Sequence, residues 1–347
     1  MNTSLQKPQR RSLIGNNALL LITIALFAIM YTAGCITYAS KGFNHLQTFL
    51  NILISNSGLI CVTCGMTCIM LTGGIDISVG ALIAMDCMLL AVGIEKWGLP
   101  APLLIVMILG IGVLFGLAQG FCVGYLEVQP FIVTMAGMFF ARGMTAVIDT
   151  QQVSITSSSF MSTLANTKIN MPFNIGAYMN SKGRLMIPYI RVSVLIALAV
   201  VVVIFLVLRY TRFGRRMYAV GGNQQSAALM GLNVRKTRMQ AYVLSSFLCS
   251  IGAICYCLNT MCGTTTQALG LEMDAISSAV IGGTLLTGGV GNVIGSFFGV
   301  LINGTISSLV KNANLISSWS NVVTALLLCF FIVLQSVFAR IKQKGNK

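Results

Sequence analysis

Charge is scarce in this chain. Only 8% of its 347 residues are Asp, Glu, Lys or Arg, and just seven are acidic. A soluble globular protein carries about 25% charged residues, so a water-soluble fold is excluded. Histidine is nearly absent. His45 stands alone and there is no H-E-x-x-H pair, which argues against zinc-peptidase and Ser–His catalysis. No Gly-Lys dipeptide occurs, so the chain has no Walker A loop, G-x-x-x-x-G-K-[ST]. Any ATP must be bound by another polypeptide, and no metal or cofactor is called for. No long polar block interrupts the sequence, and residues 1–347 read as one polytopic domain.

What is present is apolar, with 56% hydrophobic residues. A membrane-crossing helix needs about 20 mostly apolar residues. On that rule the expected fold is all-α, an integral membrane protein of about ten helices. They fall at 14–35, 48–71, 80–94, 101–125, 131–149, 188–208, 238–260, 272–287, 291–310 and 321–339. The first run is too long for a signal-peptide core and reads as a retained span. The net charge of +15 does not imply nucleic acid as a partner, because the basic residues flank apolar segments as cytoplasmic loops do. With both termini inside, the tail 1–12, the segment 210–237 with Arg209 and Arg238 at its edges, and the tail 340–347 hold fourteen of the 22 basic residues. Seven fall outside and Arg142 lies within a span. The bias favours N-in and C-in. The loop from about Thr150 to Tyr189, rich in Ser, Thr, Asn and Gly, covers the mouth, docks a partner or simply connects. Cys61, Cys64 and Cys68 have a spacing that suits a metal in a soluble protein. Inside the apolar run from Leu50 to Leu71 they read as small packing side chains, and no disulfide is required.

Two stretches break the apolar pattern in the same way. Leu71-Thr72-Gly73-Gly74-Ile75-Asp76-Ile77-Ser78-Val79-Gly80 lies between two apolar runs, and Thr287-Gly288-Gly289-Val290-Gly291-Asn292-Val293-Ile294-Gly295 lies between two others. Each interrupts a hydrophobic hairpin on the expected cytoplasmic side, as a parallel repeat. Irregular backbone at membrane depth persists where protein or a water-filled cavity satisfies its polar groups, so such breaks point to a solute path. The plainer reading is that these glycines make tight turns. Asp76 is expected to cap the helix that follows, with Ser78 as helper. Among polar residues at membrane depth, Asn56, Asn303 and Thr134 are path candidates, against helix-to-helix hydrogen bonding for each. Asp86 is an intramembrane carboxylate with Arg142 as possible partner. It keeps open an alternative reading, an ion-coupled secondary transporter.

The longest expected inside segment contains a short helix. Gly221-Gly222 is a breaker, Asn223 caps, Gln224 to Met230 are mostly helix formers, and Gly231 ends the run. Ala227, Ala228 and Gly231 leave one side nearly bare, a surface that fits a groove on another protein. The bland alternative is an inside loop that happens to be helical.

The run Thr72 to Gly80, the stretch Tyr218 to Val234, and Leu271 to Ile276 through Gly282 to Gly291 resemble the permease subunits of bacterial simple-sugar, ribose-type ABC importers. Within that family, Ala136 to Gly143, Ile281 to Gly299 and Ser317-Ser318-Trp319 look like a permease of a galactofuranose importer. The resemblance implies a monosaccharide, galactofuranose on the finer likeness, delivered by a periplasmic sugar-binding protein. It implies a second permease subunit, identical or homologous, a cytoplasmic ABC ATPase, and a place in the lipid of the bacterial inner membrane. It assigns ATPase coupling to Gly221, Gly222, Asn223, Ala227, Ala228 and Gly231. The acidic pair usual after Gly-Gly-Asn is replaced here by Gln224 and Gln225.

Overall fold

A computed structural model describes residues 14–171, 176–179 and 185–344. The expected tail 1–12 lies outside the described residues, as do Lys182, Arg184 and the last three residues of the tail 340–347. Helices dominate, in the order α1 (Ile14–Thr37), α2 (Leu46–Ser55), α3 (Ser57–Leu71), α4 (Val79–Glu95), α5 (Ala101–Gly124), α6 (Pro130–Ile148), α7 (Ser159–Asn166), α8 (Val192–Tyr210), α9 (Arg212–Gly222), α10 (Gln224–Leu229), α11 (Val234–Thr260), α12 (Leu271–Ile281), α13 (Val293–Asn312) and α14 (Ser318–Lys344). Three short antiparallel ribbons accompany them. β1 (Val153–Ser154) pairs with β6 (Cys262–Gly263), β2 (Lys168–Asn170) with β5 (Tyr189–Arg191), and β3 (Tyr178–Met179) with β4 (Leu185–Met186). Among its described residues, the 150–189 stretch contains α7 and short ribbon strands.

Every residue of α3 is buried, and so is α4 from Val79 to Ile94. Both are apolar all round, the pattern of a helix surrounded by others. Around them, α5 buries only a stripe, on which Gly112, Gly116, Gly120 and Gly124 recur every fourth residue. A methyl group on Gly116 would lie 2.7 Å from Val243 Cα, and one on Gly120 2.8 Å from Met239 O. The stripe therefore lays α5 on the bare backbone of α11, the small-residue packing that membrane helices use. Pro102 and Pro130 sit in the first turns of α5 and α6, where a missing N–H costs no helical bond.

Six helices among the described residues are long and apolar enough to cross a membrane: α1, α5, α6, α8, α11 and α13. The pair α2 and α3 makes a seventh if read as one span. Several expected elements take a different form. The run 48–71 is two helices bent by 57° about Asn56. The expected 272–287 helix stops at Ile281, and turns lead from there to Val293. Helix α11 begins at Val234, so Arg235 and Lys236 belong to its first turn. The stretch Arg212–Gly222, ahead of the expected short helix, is itself a helix, α9, and Gly221-Gly222 closes it.

Candidate functional site

The short helix α10 is mounted at the end of α9. Thr211 Oγ1 accepts from the Gly214 N–H at 3.1 Å and opens α9. Gly214, Met217 and Val220, three residues apart, form its buried stripe, while Arg212, Arg215 and Arg216 are exposed. Asn223 Oδ1 accepts from the Ser226 N–H at 2.8 Å and opens α10. Gly231, with φ of 77°, ends the turn, and the left-handed backbone there suits glycine. Asn233 Oδ1 then accepts from the Lys236 N–H at 2.9 Å and opens α11. Each boundary is thus written in one capping side chain.

The expected bare surface of α10 is redrawn. Ala227 is fully buried against the body of the chain, whereas Ala228 and Gly231 are exposed. Leu229 and Met230 project furthest, at 89% and 70% exposure. The outward side of α10 is therefore a protruding pair of large apolar side chains rather than a smooth face. Nothing in the residue types distinguished Leu229 from the other helix formers of this run.

The end of α9 meets both glycine breaks. Gly289 donates its N–H to Leu71 O at 3.0 Å, joining the second break to the end of α3. A methyl group on Gly221 would overlap Leu71 O and lie 2.5 Å from Gly289 N. One on Gly289 would lie 2.6 Å from Gly222 Cα, and one on Gly288 2.9 Å from Gly73 N and 3.1 Å from Gly221 O. Tyr218 donates its hydroxyl to Gly291 O at 2.9 Å. Three segments far apart in sequence thus touch backbone to backbone. At Gly73, Gly288 and Gly289 φ is positive, so a side chain would be strained there even with room.

Each break is pinned from behind. Asp76 Oδ1 accepts from the Ser78 N–H at 2.9 Å and from the Ser78 hydroxyl at 2.5 Å. Gln119 Nε2 donates to Ser78 Oγ at 2.9 Å, and Tyr242 donates its hydroxyl to Ile75 O at 3.2 Å. A methyl group on Gly74 would lie 2.8 Å from that Tyr242 hydroxyl. On the second break, Asn292 Oδ1 accepts from the Ile294 N–H at 3.0 Å. Thr67 donates to Ser296 Oγ at 2.8 Å, tying α3 to α13.

The path candidates separate. Asn303 Nδ2 donates to Ser278 Oγ at 2.8 Å and Ser277 Oγ at 3.2 Å, and its Oδ1 accepts from Thr324 at 3.3 Å. These bonds join α12, α13 and α14 and use the amide's capacity. Thr134 turns its hydroxyl back to Pro130 O at 3.0 Å within α6. Asn56 sits at the α2–α3 bend and donates to Ile52 O at 2.8 Å. Asp86 and Arg142 do not pair. Asp86 Oδ2 accepts from Ser250 at 2.7 Å, while Arg142 donates to Thr265 O at 3.1 Å and Gln267 O at 2.7 Å. Cys61, Cys64 and Cys68 are free and buried, and no group of three or more potential metal ligands occurs among the described residues.

Residues 48–332 match a family model described as branched-chain amino acid transport system / permease component. The chain belongs to this family. It is therefore a transport subunit and not an enzyme, multi-pass in the bacterial inner membrane, and a separate subunit supplies ATP hydrolysis. It is 38% identical over 324 residues to the inner membrane ABC transporter permease protein YjfF of Escherichia coli, covering 93% of each chain. It is 36% identical to the fructose import permease protein FruG of Bifidobacterium longum, covering 91% of this chain and 89% of that one. The ribose import permease protein RbsC of Escherichia coli is 30% identical, with 90% and 92% covered. No solved structure matches.

Proposed function

We propose that the chain forms half of the membrane path of an ATP-driven importer of a simple sugar. In this reading residues 1–347 are one permease domain of ten membrane elements, N-in and C-in, with two glycine-broken hairpins. A second permease subunit, identical or homologous, completes the path. A periplasmic binding protein delivers the sugar to the outer cap, and a cytoplasmic ABC ATPase grips α10. Leu229 and Met230 are the knob it holds, with Ala228 and Gly231 beside them. Gly221 and Gly222 pass the movement to the breaks, and Asn223 keeps α10 in register with α9. The fructose and ribose permeases among the relatives support a sugar as cargo. The likeness of Ala136–Gly143 and Ile281–Gly299 makes galactofuranose the first sugar to try.

One observation carries the reading. The helix on which the exposed knob is mounted, α9, ends in backbone contact with both breaks, so a pull on α10 reaches the breaks through Asn223 and the end of α9. The relatives named as ABC or import permeases favour the ATP-driven reading over the ion-coupled alternative. The assay is uptake of labelled sugar into liposomes holding the assembled transporter. Uptake is expected to need ATP and the binding protein. Uptake driven by a proton or sodium gradient without ATP overturns the proposal.

A further inference from the structure

A cavity of about 330 Å³ opens where the end of α8 meets α9 and the start of α13, and its lining includes Phe205, Leu208, Arg209, Arg215, Tyr218 and Val293. Both arginines are exposed residues. They are held in place by one neighbour. The Arg209 guanidinium lies 5.7 Å from the ring centres of both Phe205 and Tyr210, a cation–π arrangement. Arg215 Nη1 donates to Tyr210 O at 3.2 Å. These contacts leave most of the N–H donors of the two groups free. No internal anion meets them. The chain has only seven acidic residues, and none lines this cavity. The ion pairs among the described residues are Lys96–Asp149 and Arg235–Glu127, and neither arginine is in one.

Two uncompensated guanidinium groups on one cavity select an anion with several oxygens, and their fork geometry suits phosphate. The place of the cavity selects the kind of phosphate. Arg209 lies in the last turn of α8, a helix long and apolar enough to cross the membrane. Val202 and Leu206 are exposed on the same helix. With Arg209 they stand at i, i+4 and i+7, one above another on one face. An acyl chain lying on Val202 and Leu206 therefore ends at Arg209. A free phosphate or an acidic peptide makes no use of that apolar stripe. The headgroup is selected too. With no carboxylate on the cavity, the ammonium of a choline headgroup finds no partner, whereas a glycerol headgroup brings its negative charge alone. Helix α13 begins at Val293 on the far wall, and the positive end of its dipole adds to the attraction.

We infer that this cavity seats the phosphate of an anionic phospholipid on Arg209 and Arg215, with one acyl chain along the Val202 and Leu206 face of α8. The site goes beyond the importer reading and does not depend on the cargo. It sets a lipid headgroup beside the second glycine break, because Tyr218 lines the cavity and donates its hydroxyl to Gly291 O at 2.9 Å.

The test uses the full chain, purified with its associated subunits in a neutral detergent, where no charged membrane surface adds a general attraction. Dioleoylphosphatidylglycerol, dioleoylphosphatidylcholine and inorganic phosphate are titrated in turn, and bound molecules are counted by native mass spectrometry. Phosphatidylglycerol is expected to bind about tenfold more tightly than phosphatidylcholine, and inorganic phosphate is expected not to displace it. Arg209→Gln and Arg215→Gln should each weaken phosphatidylglycerol about tenfold, the scale of one lost hydrogen bond to a charged group. Arg216→Gln removes the same charge from an exposed position of α9 outside the cavity and should change binding by less than about twofold. Melting temperature in detergent alone checks the fold, and if one cavity variant melts early the other carries the comparison. Equal affinity for the two lipids, or equal weakening by Arg216→Gln, reduces the site to diffuse attraction and overturns the inference. Displacement by inorganic phosphate makes it a free-anion site and overturns the lipid. No phosphatidylglycerol retained by the assembled transporter means that another subunit covers this face, and also overturns it. Failure of sugar uptake in the separate liposome assay strikes the importer reading and leaves this binding result standing.

Discussion

Replacing Gly221 with alanine sets the new methyl group into Leu71 O and 2.5 Å from Gly289 N. An ordinary contact needs 3.4 Å or more, so clearing Leu71 O requires α9 and the breaks to part by about 1.6 Å. Parting them strains or breaks the Gly289 N–H bond to Leu71 O, now 3.0 Å. Leaving that pair unsatisfied in a dry junction costs about 1–3 kcal/mol, and the overpacking costs a further 1–3 kcal/mol or so. Alanine returns about 1 kcal/mol through its better helix propensity at the end of α9. The net is a loosening of about 1–5 kcal/mol, confined to the contact between α9 and the two breaks. Gly222 is the control. A methyl group there meets nothing within 4 Å, so Gly222→Ala should be neutral or stabilising by up to about 1 kcal/mol. The assay compares three quantities for each variant: yield of inserted protein, ATPase retained on purification, and sugar uptake per ATP hydrolysed. Gly221→Ala should keep the ATPase, since the surface of α10 is untouched, and lose most of its uptake per ATP. Equal coupling ratios for the two neighbouring variants would refute the junction as the route of transmission.

Three other outcomes are expected. Leu229→Glu should leave insertion intact, because the side chain is 89% exposed, and weaken ATPase association at least tenfold, the scale of a central apolar anchor; normal co-purification removes α10 as the docking element. Asn303→Ala should lower thermal stability by about 1–3 kcal/mol, because Ser278 and Thr324 lose their partner, with sugar preference unmoved in the uptake assay; a changed preference would return Asn303 to the path. Just beyond the end of α6, the Asp149 carboxyl is held below its ordinary range by Lys96 and by the Gln151 N–H. Its folded value is the lower one, so its contribution is present above the unfolded value near 3.9 and fades as pH falls through the folded value; Asp149→Asn should therefore alter thermal stability at neutral pH and leave it unaltered under strong acid.

The spans were legible where an apolar run meets a clear stop. Helices α5 and α6 begin at Ala101 and Pro130, against the expected 101 and 131, and α10 lies between its expected cap Asn223 and the turn at Gly231. The bend at Asn56 was not legible, because Ile54-Ser55-Asn56-Ser57-Gly58 carries no proline and both neighbours are strongly apolar. Helix α9 escaped because three arginines and three glycines hide its three-residue stripe of Gly214, Met217 and Val220. The glycine stripe of α5 carries its signal in the sequence, a four-residue spacing that suits close helix approach. Which way α10 turns its two alanines could not be read at all. A six-residue helix has no face of its own; the end of α9 delivers it, and Ala227 goes inward because of that.

The convergence of the breaks with α9 has no local signal, since Gly73, Gly221 and Gly289 are separated by scores of residues. Its logic becomes visible only in space. A helix resting on a membrane core through side chains can slide while rotamers adjust, and part of any displacement is lost. Glycine against glycine leaves no such slack, because backbone meets backbone and the Gly289–Leu71 bond fixes the register. The same contact joins the end of α3, the central buried helix, to the turn that leads into α13. If the ATPase docks on α10 as proposed, a displacement of α9 moves both breaks together, since each presents a bare backbone edge to it.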